Sequence, residues 1–112
     1  MNQFDANHDL RSSNISREFA QRLREQLGDR IEQVILYGSR ARGEAEADSD
    51  FDFLVVVDRF SEALENQVLD LAYQMLDQYG AVVSAIVVQA DHFQNRLWEP
   101  LYVNARREGI SL

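Results

Sequence analysis

The sequence predicts a small α/β domain, and three features of the chain predict it. Three apolar runs have the length and the residue types of buried strands, at residues 31–37, 51–57 and 81–88. Stretches in which apolar residues recur at helical spacing flank these runs. The chain has 112 residues, five glycines and one proline, which is enough for one domain and leaves little room for a linker. We therefore expect a mixed β-sheet of three or more strands flanked by helices.

Helix signals fill the chain between these strands. Apolar spacing predicts a first helix over 16–27 and a longer one that opens at 61–62. Glycines follow at the positions where the helices are expected to end, Gly28, Gly43, Gly80 and Gly109. Pro100 suits the first turn of the last helix. Residues 1–13 are polar and predict a flexible N-terminal arm, so we assign the single domain to residues 14–112.

Composition limits the class of partner. The net charge of −8 disfavours direct binding of nucleic acid, which needs a basic surface to displace counterions. The charge does not disfavour a nucleotide, because Mg²⁺ can bridge carboxylates and phosphates. No apolar run reaches the length of a membrane span, and residues 1–13 lack the apolar centre of a secretion signal. We expect a cytoplasmic protein without a membrane segment.

Two aspartates at the start of the second strand are candidate metal ligands. Alternate side chains of a strand share a face, so Asp50 and Asp52 are expected to project in the same direction. Paired carboxylates of this kind can hold the divalent ions of a phosphoryl-transfer site. Phe51 and Phe53 would then face the core.

A glycine turn follows the first strand. Gly38 permits a sharp bend and a close approach of backbone N–H groups to a ligand, and Ser39 adds a hydroxyl donor. Arg40 and Arg42 bring positive charge that suits phosphate oxygens. The glycine turn alone is an ordinary turn, and the two aspartates alone are an ordinary strand end. Together they combine a candidate phosphate site with candidate ligands for the metal ion that a bound phosphate requires.

The stretch GSRARGEAEADSDFDFLVV resembles the signature of the DNA polymerase β-like nucleotidyltransferase superfamily, in which GS is followed by ten residues and D-x-D. The segments SRARGEA and SDFDFLVV resemble its smallest members, the minimal nucleotidyltransferases, usually found beside a HEPN-domain partner in bacteria and archaea. The C-terminal PLYVNARREGISL also resembles the ends of such short chains. The resemblance spans roughly residues 33–112.

The resemblance implies the nucleotidyltransferase fold and transfer of AMP from ATP, with release of pyrophosphate. It assigns nucleotide binding to Gly38, Ser39, Arg40, Arg42 and Ser49. It makes Asp50 and Asp52 the catalytic carboxylates and the ligands of Mg²⁺ or Mn²⁺. Family members paired with HEPN ribonucleases act as antitoxins, and some modify a tyrosine of the toxin. Because the chain is too short for a separate acceptor domain, we expect a macromolecular acceptor.

The third strand departs from the family pattern. Family enzymes usually carry a third carboxylate there, which ligates metal and accepts the proton of the attacking hydroxyl. The strand here reads GAVVSAIVVQA, and Ser84 occupies the expected position. Three functions therefore stay open. They are a weak protein adenylyltransferase that acts on a HEPN toxin, a non-catalytic antitoxin that neutralises its partner by contact, and a small-molecule nucleotidyltransferase that works as a homodimer.

Overall fold

The computed structural model describes residues 6–46 and 48–112. Five α-helices lie in the described ranges: α1 (Ala6–Leu27), α2 (Ser39–Arg42), α3 (Glu62–Tyr79), α4 (Ala90–Asn95) and α5 (Pro100–Glu108). A short 3₁₀ helix, Gly28–Arg30, joins α1 to the first strand. The same ranges contain four strands: β1 (Ile31–Tyr37), β2 (Phe51–Val57), β3 (Val83–Gln89) and β4 (Ile110–Ser111). The strands form one mixed sheet in the order β3-β2-β1-β4.

The connections along the chain explain the mixed sheet. Strand β1 pairs antiparallel with β2 and with β4, whereas β2 and β3 run parallel. A parallel pair needs a crossover connection, and α3 provides it between β2 and β3. Ser61 begins this helix, where its side chain accepts a hydrogen bond from the Leu64 N–H, and Gly80 ends it with φ 66°.

Strand β2 lies in the interior of the sheet and is buried on both faces. Phe53 and Val55 face the cluster that α1 and α3 cover, and the Phe19 and Phe53 rings lie 4.8 Å apart between centroids. Leu54 and Val56 face the second cluster, beneath α4 and α5. This two-sided burial explains why the strand reads as a nearly continuous apolar run.

The structure confirms the predicted α/β class and corrects two details. Helix α1 begins at Ala6 and so includes residues 6–13 of the expected arm, while residues 1–5 lie outside the described residues. Ser12 is buried, and its Oγ accepts a hydrogen bond from Arg40, so a tertiary contact supports this part of the helix. The short strand β4 was not predicted from the sequence. No helix within the described ranges is long and apolar enough to cross a membrane.

Candidate active site

The end of β1 turns sharply at Gly38. Its φ of 75° and ψ of −157° belong to a region that residues with a Cβ rarely adopt. A Cβ built on Gly38 would lie 2.7 Å from Oδ2 of Asp52, so a side chain here would also collide with that carboxylate. The backbone conformation therefore favours glycine, and a larger residue would in addition displace the Asp52 carboxylate, which lies directly against the β1 turn.

The two aspartates lie where β2 begins. Asp50 is exposed just before the strand, and Asp52 is half-buried within it. In the sheet register Asp52 pairs with Tyr37 of β1 on one side and with Ser84 of β3 on the other. Directly paired residues share a face, so these three side chains form a row across the sheet beside the Gly38 turn. We call the group Gly38, Ser39, Arg42, Asp50 and Asp52 the Gly38 site.

Arg42 belongs to this site and is held by two carboxylates. Its Nε donates to Oε2 of Glu44 at 3.2 Å, and its Nη1 donates to Oε1 of Glu108 at 3.0 Å. Oε1 of Glu108 also accepts a hydrogen bond from the Gly38 N–H at 3.3 Å. Glu108 therefore joins the last turn of α5 to the turn after β1.

Arg40 and Ser49, two of the predicted nucleotide ligands, have contacts outside the Gly38 site. The Arg40 guanidinium is buried on the α1 side of the sheet, 4.1 Å from the centroid of the Phe51 ring. It donates hydrogen bonds to Oγ of Ser12 at 2.8 Å and to the Ser49 carbonyl at 2.7 Å. The Ser49 hydroxyl accepts the N–H of Glu46 at 2.9 Å. These contacts give both residues a structural role in the loop.

Ser39 follows the glycine turn and opens α2, which is a single helical turn. The carbonyl of Gly38 accepts the N–H groups of Ala41 and Arg42, both at 3.1 Å. Gly43 ends the turn with φ 73°. The short helix therefore fixes Ser39 one residue away from the contact between Gly38 and Asp52.

The electrostatic environment of Asp52 favours a bound cation. Burial raises the pKa of Asp52 above its ordinary value, the negative charge of Asp50 raises it further, and Arg42 lowers it. Burial also raises the pKa of the neighbouring Tyr37 hydroxyl, and the charge of Asp52 acts in the same direction. A cation between the two carboxylates would relieve their repulsion and stabilise the ionised form of Asp52.

The donor set fits a hard divalent cation that arrives with its substrate. Among the described residues, no group of three or more His, Cys, Asp or Glu side chains could hold a metal ion. Asp50 and Asp52 would thus be two protein ligands, with no third carboxylate or imidazole grouped with them among the described residues. Mg²⁺ is commonly bound by one or two carboxylates together with water and substrate phosphates, so two are sufficient.

Sequence reasoning missed Glu108 as a member of this region. It lies 70 residues from Gly38 along the chain, and nothing in the local pattern of the last helix indicates that contact. The only sequence signal was the resemblance of the C-terminal segment to other short chains of the superfamily.

The mixed sheet, with its glycine turn against Asp52, agrees with the fold that the sequence resemblance implies. The family model described as "Nucleotidyltransferase domain" matches residues 16–107, and the chain belongs to this family. A relative from Methanocaldococcus jannaschii, with the provisional name protein adenylyltransferase, is 34% identical over 93 residues, which are 83% of this chain and 89% of the relative.

Solved structures show the same fold. A provisionally named nucleotidyltransferase from Sulfolobus solfataricus superposes with a TM-score of 0.60 at 19% identity, covering 99% of this chain and 87% of that chain. A chain of a toxin–antitoxin complex solved with AMP-PNP superposes with a TM-score of 0.53 at 15% identity, covering 84% of this chain and 69% of that chain. The family model and the M. jannaschii relative confirm the resemblance to the nucleotidyltransferase superfamily, and these solved structures agree with it in fold.

Proposed function

We propose that this domain transfers AMP from ATP to a hydroxyl group of a partner protein. The observation that carries the proposal is the convergence of a glycine turn, an arginine and two aspartates at one end of the sheet. The name of the M. jannaschii relative supports a protein as the acceptor. The neighbouring complex with AMP-PNP supports a nucleotide as the donor and a second protein as the partner.

The Gly38 site offers separate groups for the two parts of the substrate. The Ser39 hydroxyl and the Arg42 guanidinium would donate hydrogen bonds to the triphosphate. The absence of a side chain at Gly38 lets the Asp52 carboxylate lie directly against this turn, so the proposed metal ligand and the proposed phosphate donors are close together. Asp50 and Asp52 would hold Mg²⁺ or Mn²⁺. When bound, this ion supplies positive charge that neutralises the phosphate oxygens during transfer.

The reaction itself is a displacement at the α-phosphorus of ATP. The acceptor oxygen forms a bond to that phosphorus, the bond to the bridging oxygen of the β-phosphate breaks, and pyrophosphate leaves. The acceptor hydroxyl gives its proton to water. The residues of the Gly38 site contribute mainly by orienting the triphosphate and by favouring the charge distribution of the transition state.

The acceptor that fits the proposal best is a tyrosine of a HEPN-type toxin. A phenol hydroxyl loses its proton more easily than an aliphatic hydroxyl, which matters because Ser84 lies where a proton-accepting carboxylate is expected. The proposal includes a cytoplasmic location, because ATP is the donor.

A second function is favoured by a specific observation. Ser84 pairs with Asp52 across the parallel strands, so this position has a hydroxyl where the resemblance implies a carboxylate that accepts the proton of the attacking hydroxyl. The domain would then be an antitoxin that binds nucleotide and neutralises its partner by contact alone. Loss of a general base commonly lowers the rate of the catalysed reaction by a factor of ~10²–10⁴.

Metal-dependent nucleotide binding is the first measurement. We expect Mg²⁺ to strengthen ATP binding in calorimetry, because the cation removes the repulsion between Asp50 and Asp52. Asp52→Asn should weaken binding by about tenfold, the loss of one charge-assisted contact. Asp58→Asn is the matched control, since this exposed aspartate pairs with Arg30 beyond the end of β2. Equal ATP affinity with and without divalent metal would contradict the assignment of Asp50 and Asp52 as metal ligands.

Transfer is measured on the partner. The protein encoded by the neighbouring gene is incubated with the domain and ATP–Mg²⁺, and its intact mass is followed for the addition of one AMP unit. The double variant Asp50→Asn, Asp52→Asn should fold normally and transfer nothing. If the partner is neutralised without a change in mass, and the double variant neutralises it equally well, the contact antitoxin is the correct function.

A further inference from the structure

We propose that Glu108 is a positioning residue of the Gly38 site: it holds Arg42 and the Gly38 turn in the arrangement that receives the triphosphate. The inference rests on the proposed function, because it assigns Arg42 to phosphate. It adds a residue outside the signature stretch, on the last helix, to the machinery of the site.

Glu108 is itself held firmly from both sides. It is the last residue of α5, whose Tyr102 and Ala105 are buried against the sheet. Gly109 follows so close to β1 that a Cβ there would lie 2.4 Å from Cγ2 of Ile35. Strand β4 then pairs with β1, so the backbone on each side of Glu108 is fixed.

The two carboxylates that hold Arg42 differ in burial. The Glu44 side chain is 65% exposed and contacts Arg42 through one hydrogen bond, from Nε. The Glu108 side chain is 19% exposed, and its Oε1 accepts from both Arg42 and the Gly38 N–H. Glu108 is partly buried, its backbone is fixed, and it accepts two hydrogen bonds. It therefore constrains Arg42 more than the exposed Glu44 does.

Holding Arg42 in place does not consume its capacity to bind phosphate. A guanidinium carries five N–H donors, and the two carboxylates use two of them. Arg42 also lowers the pKa of Asp52, which indicates that its charge lies near the paired aspartates. An arginine without these contacts would have to be ordered when the ligand binds, and that loss of side-chain freedom would weaken binding.

The experiment measures binding of inorganic triphosphate in the presence of Mg²⁺ by calorimetry. We expect Glu108→Ala to weaken binding by about tenfold, the equivalent of one lost charge-assisted contact. Glu108→Gln should retain most of the affinity, because its amide oxygen can accept the same two hydrogen bonds. Glu44→Ala, the matched control on the same arginine, should change affinity by less than about twofold.

A double-mutant cycle separates positioning from a structural role. If Glu108 acts through Arg42 as well as through the Gly38 N–H, Glu108→Ala costs clearly less affinity in the Arg42→Ala background than in the wild type. Additive losses, or a Glu108→Ala variant that binds as tightly as the wild type or more tightly, would overturn the inference. Thermal melting of each variant shows that the folded state is being compared.

The two proposals can fail separately in these measurements. If triphosphate binding follows the cycle but no AMP reaches a partner, the proposed reaction is wrong and the role of Glu108 stands. If AMP is transferred and Glu108→Ala binds triphosphate like the wild type, only the role of Glu108 is wrong.

Discussion

At the scale of single residues, Gly38 carries the tightest constraint in the site. Its backbone has a positive φ, and the Asp52 carboxylate fills the space where a Cβ would be. We expect Gly38→Ala to lower the free energy of unfolding by about 1–3 kcal/mol from backbone strain alone. It should also weaken ATP–Mg²⁺ binding, because Asp52 must move. Thermal melting and calorimetry measure the two effects.

Gly28 provides the control for this substitution. Its φ is 58°, but a Cβ there would meet no atom within 4 Å, so Gly28→Ala introduces strain without a collision. It should destabilise the fold and leave nucleotide binding as in the wild type. Equal losses of stability in the two variants, with normal binding in both, would show that the contact between Gly38 and Asp52 has no role in the site.

At the scale of elements, α2 carries two arginines with different tasks. Arg40 is buried on Phe51 and hydrogen-bonded to Ser12, whereas Arg42 is exposed beside Asp52. We expect Arg40→Ala to lower the free energy of unfolding by about 2 kcal/mol, through lost packing and buried hydrogen bonds. Arg42→Ala should stay within about 0.5 kcal/mol of the wild type and weaken triphosphate binding instead.

Each arginine variant is the control for the other. Urea titration gives their stabilities, and calorimetry at a temperature where both are folded gives their affinities. If Arg40→Ala lost affinity as strongly as Arg42→Ala while remaining equally stable, Arg40 would have to be returned to the set of phosphate ligands.

The register between β2 and β3 leads to a gain-of-function prediction. Ser84 lies beside Asp52 on the same face, and the sequence resemblance implies a carboxylate at this position. We expect Ser84→Asp to raise the rate of AMP transfer about tenfold or more, since a general base is commonly worth ~10²–10⁴. Single-turnover transfer to the partner, followed by mass spectrometry, is the measurement.

Ser84→Asn tests whether the carboxylate itself is responsible. Asparagine has nearly the same size but neither accepts a proton nor adds negative charge. An equal rise in rate with asparagine, or no rise with aspartate, would show that the missing carboxylate does not limit transfer.

At the scale of the whole molecule, local chemistry in the sequence predicted most of the fold. Apolar runs marked the three long strands, and the helix ends at Gly43 and Gly80 followed from residues that tolerate a positive φ. The position of Ser84 beside Asp52 was expected from the third strand and is found in the sheet register. These features depend on neighbours in the chain or on strand alternation, which a sequence displays directly.

The features that the sequence did not predict depend on contacts between distant residues. Arg40 and Arg42 look equivalent in the signature stretch. Only the contacts of Arg40 with Phe51 and Ser12, which are distant in sequence, distinguish the buried arginine from the exposed one. The early start of α1 and the presence of β4 likewise require partners from other elements. Glu108 reaches Gly38 because α5 packs against β1, and the periodicity of the helix does not indicate which strand it packs against.

The antiparallel pairing of β1 and β2 has a consequence for how the site assembles. These strands are consecutive in the chain, so Gly38, Arg42, Asp50 and Asp52 all belong to one hairpin that can form from local contacts. Ser84 joins only after the 18-residue α3 has carried the chain across to β3, and closing such a longer loop is slower. The proposed phosphate and metal ligands would therefore come together early in folding, before the strand that carries Ser84 completes the sheet around them.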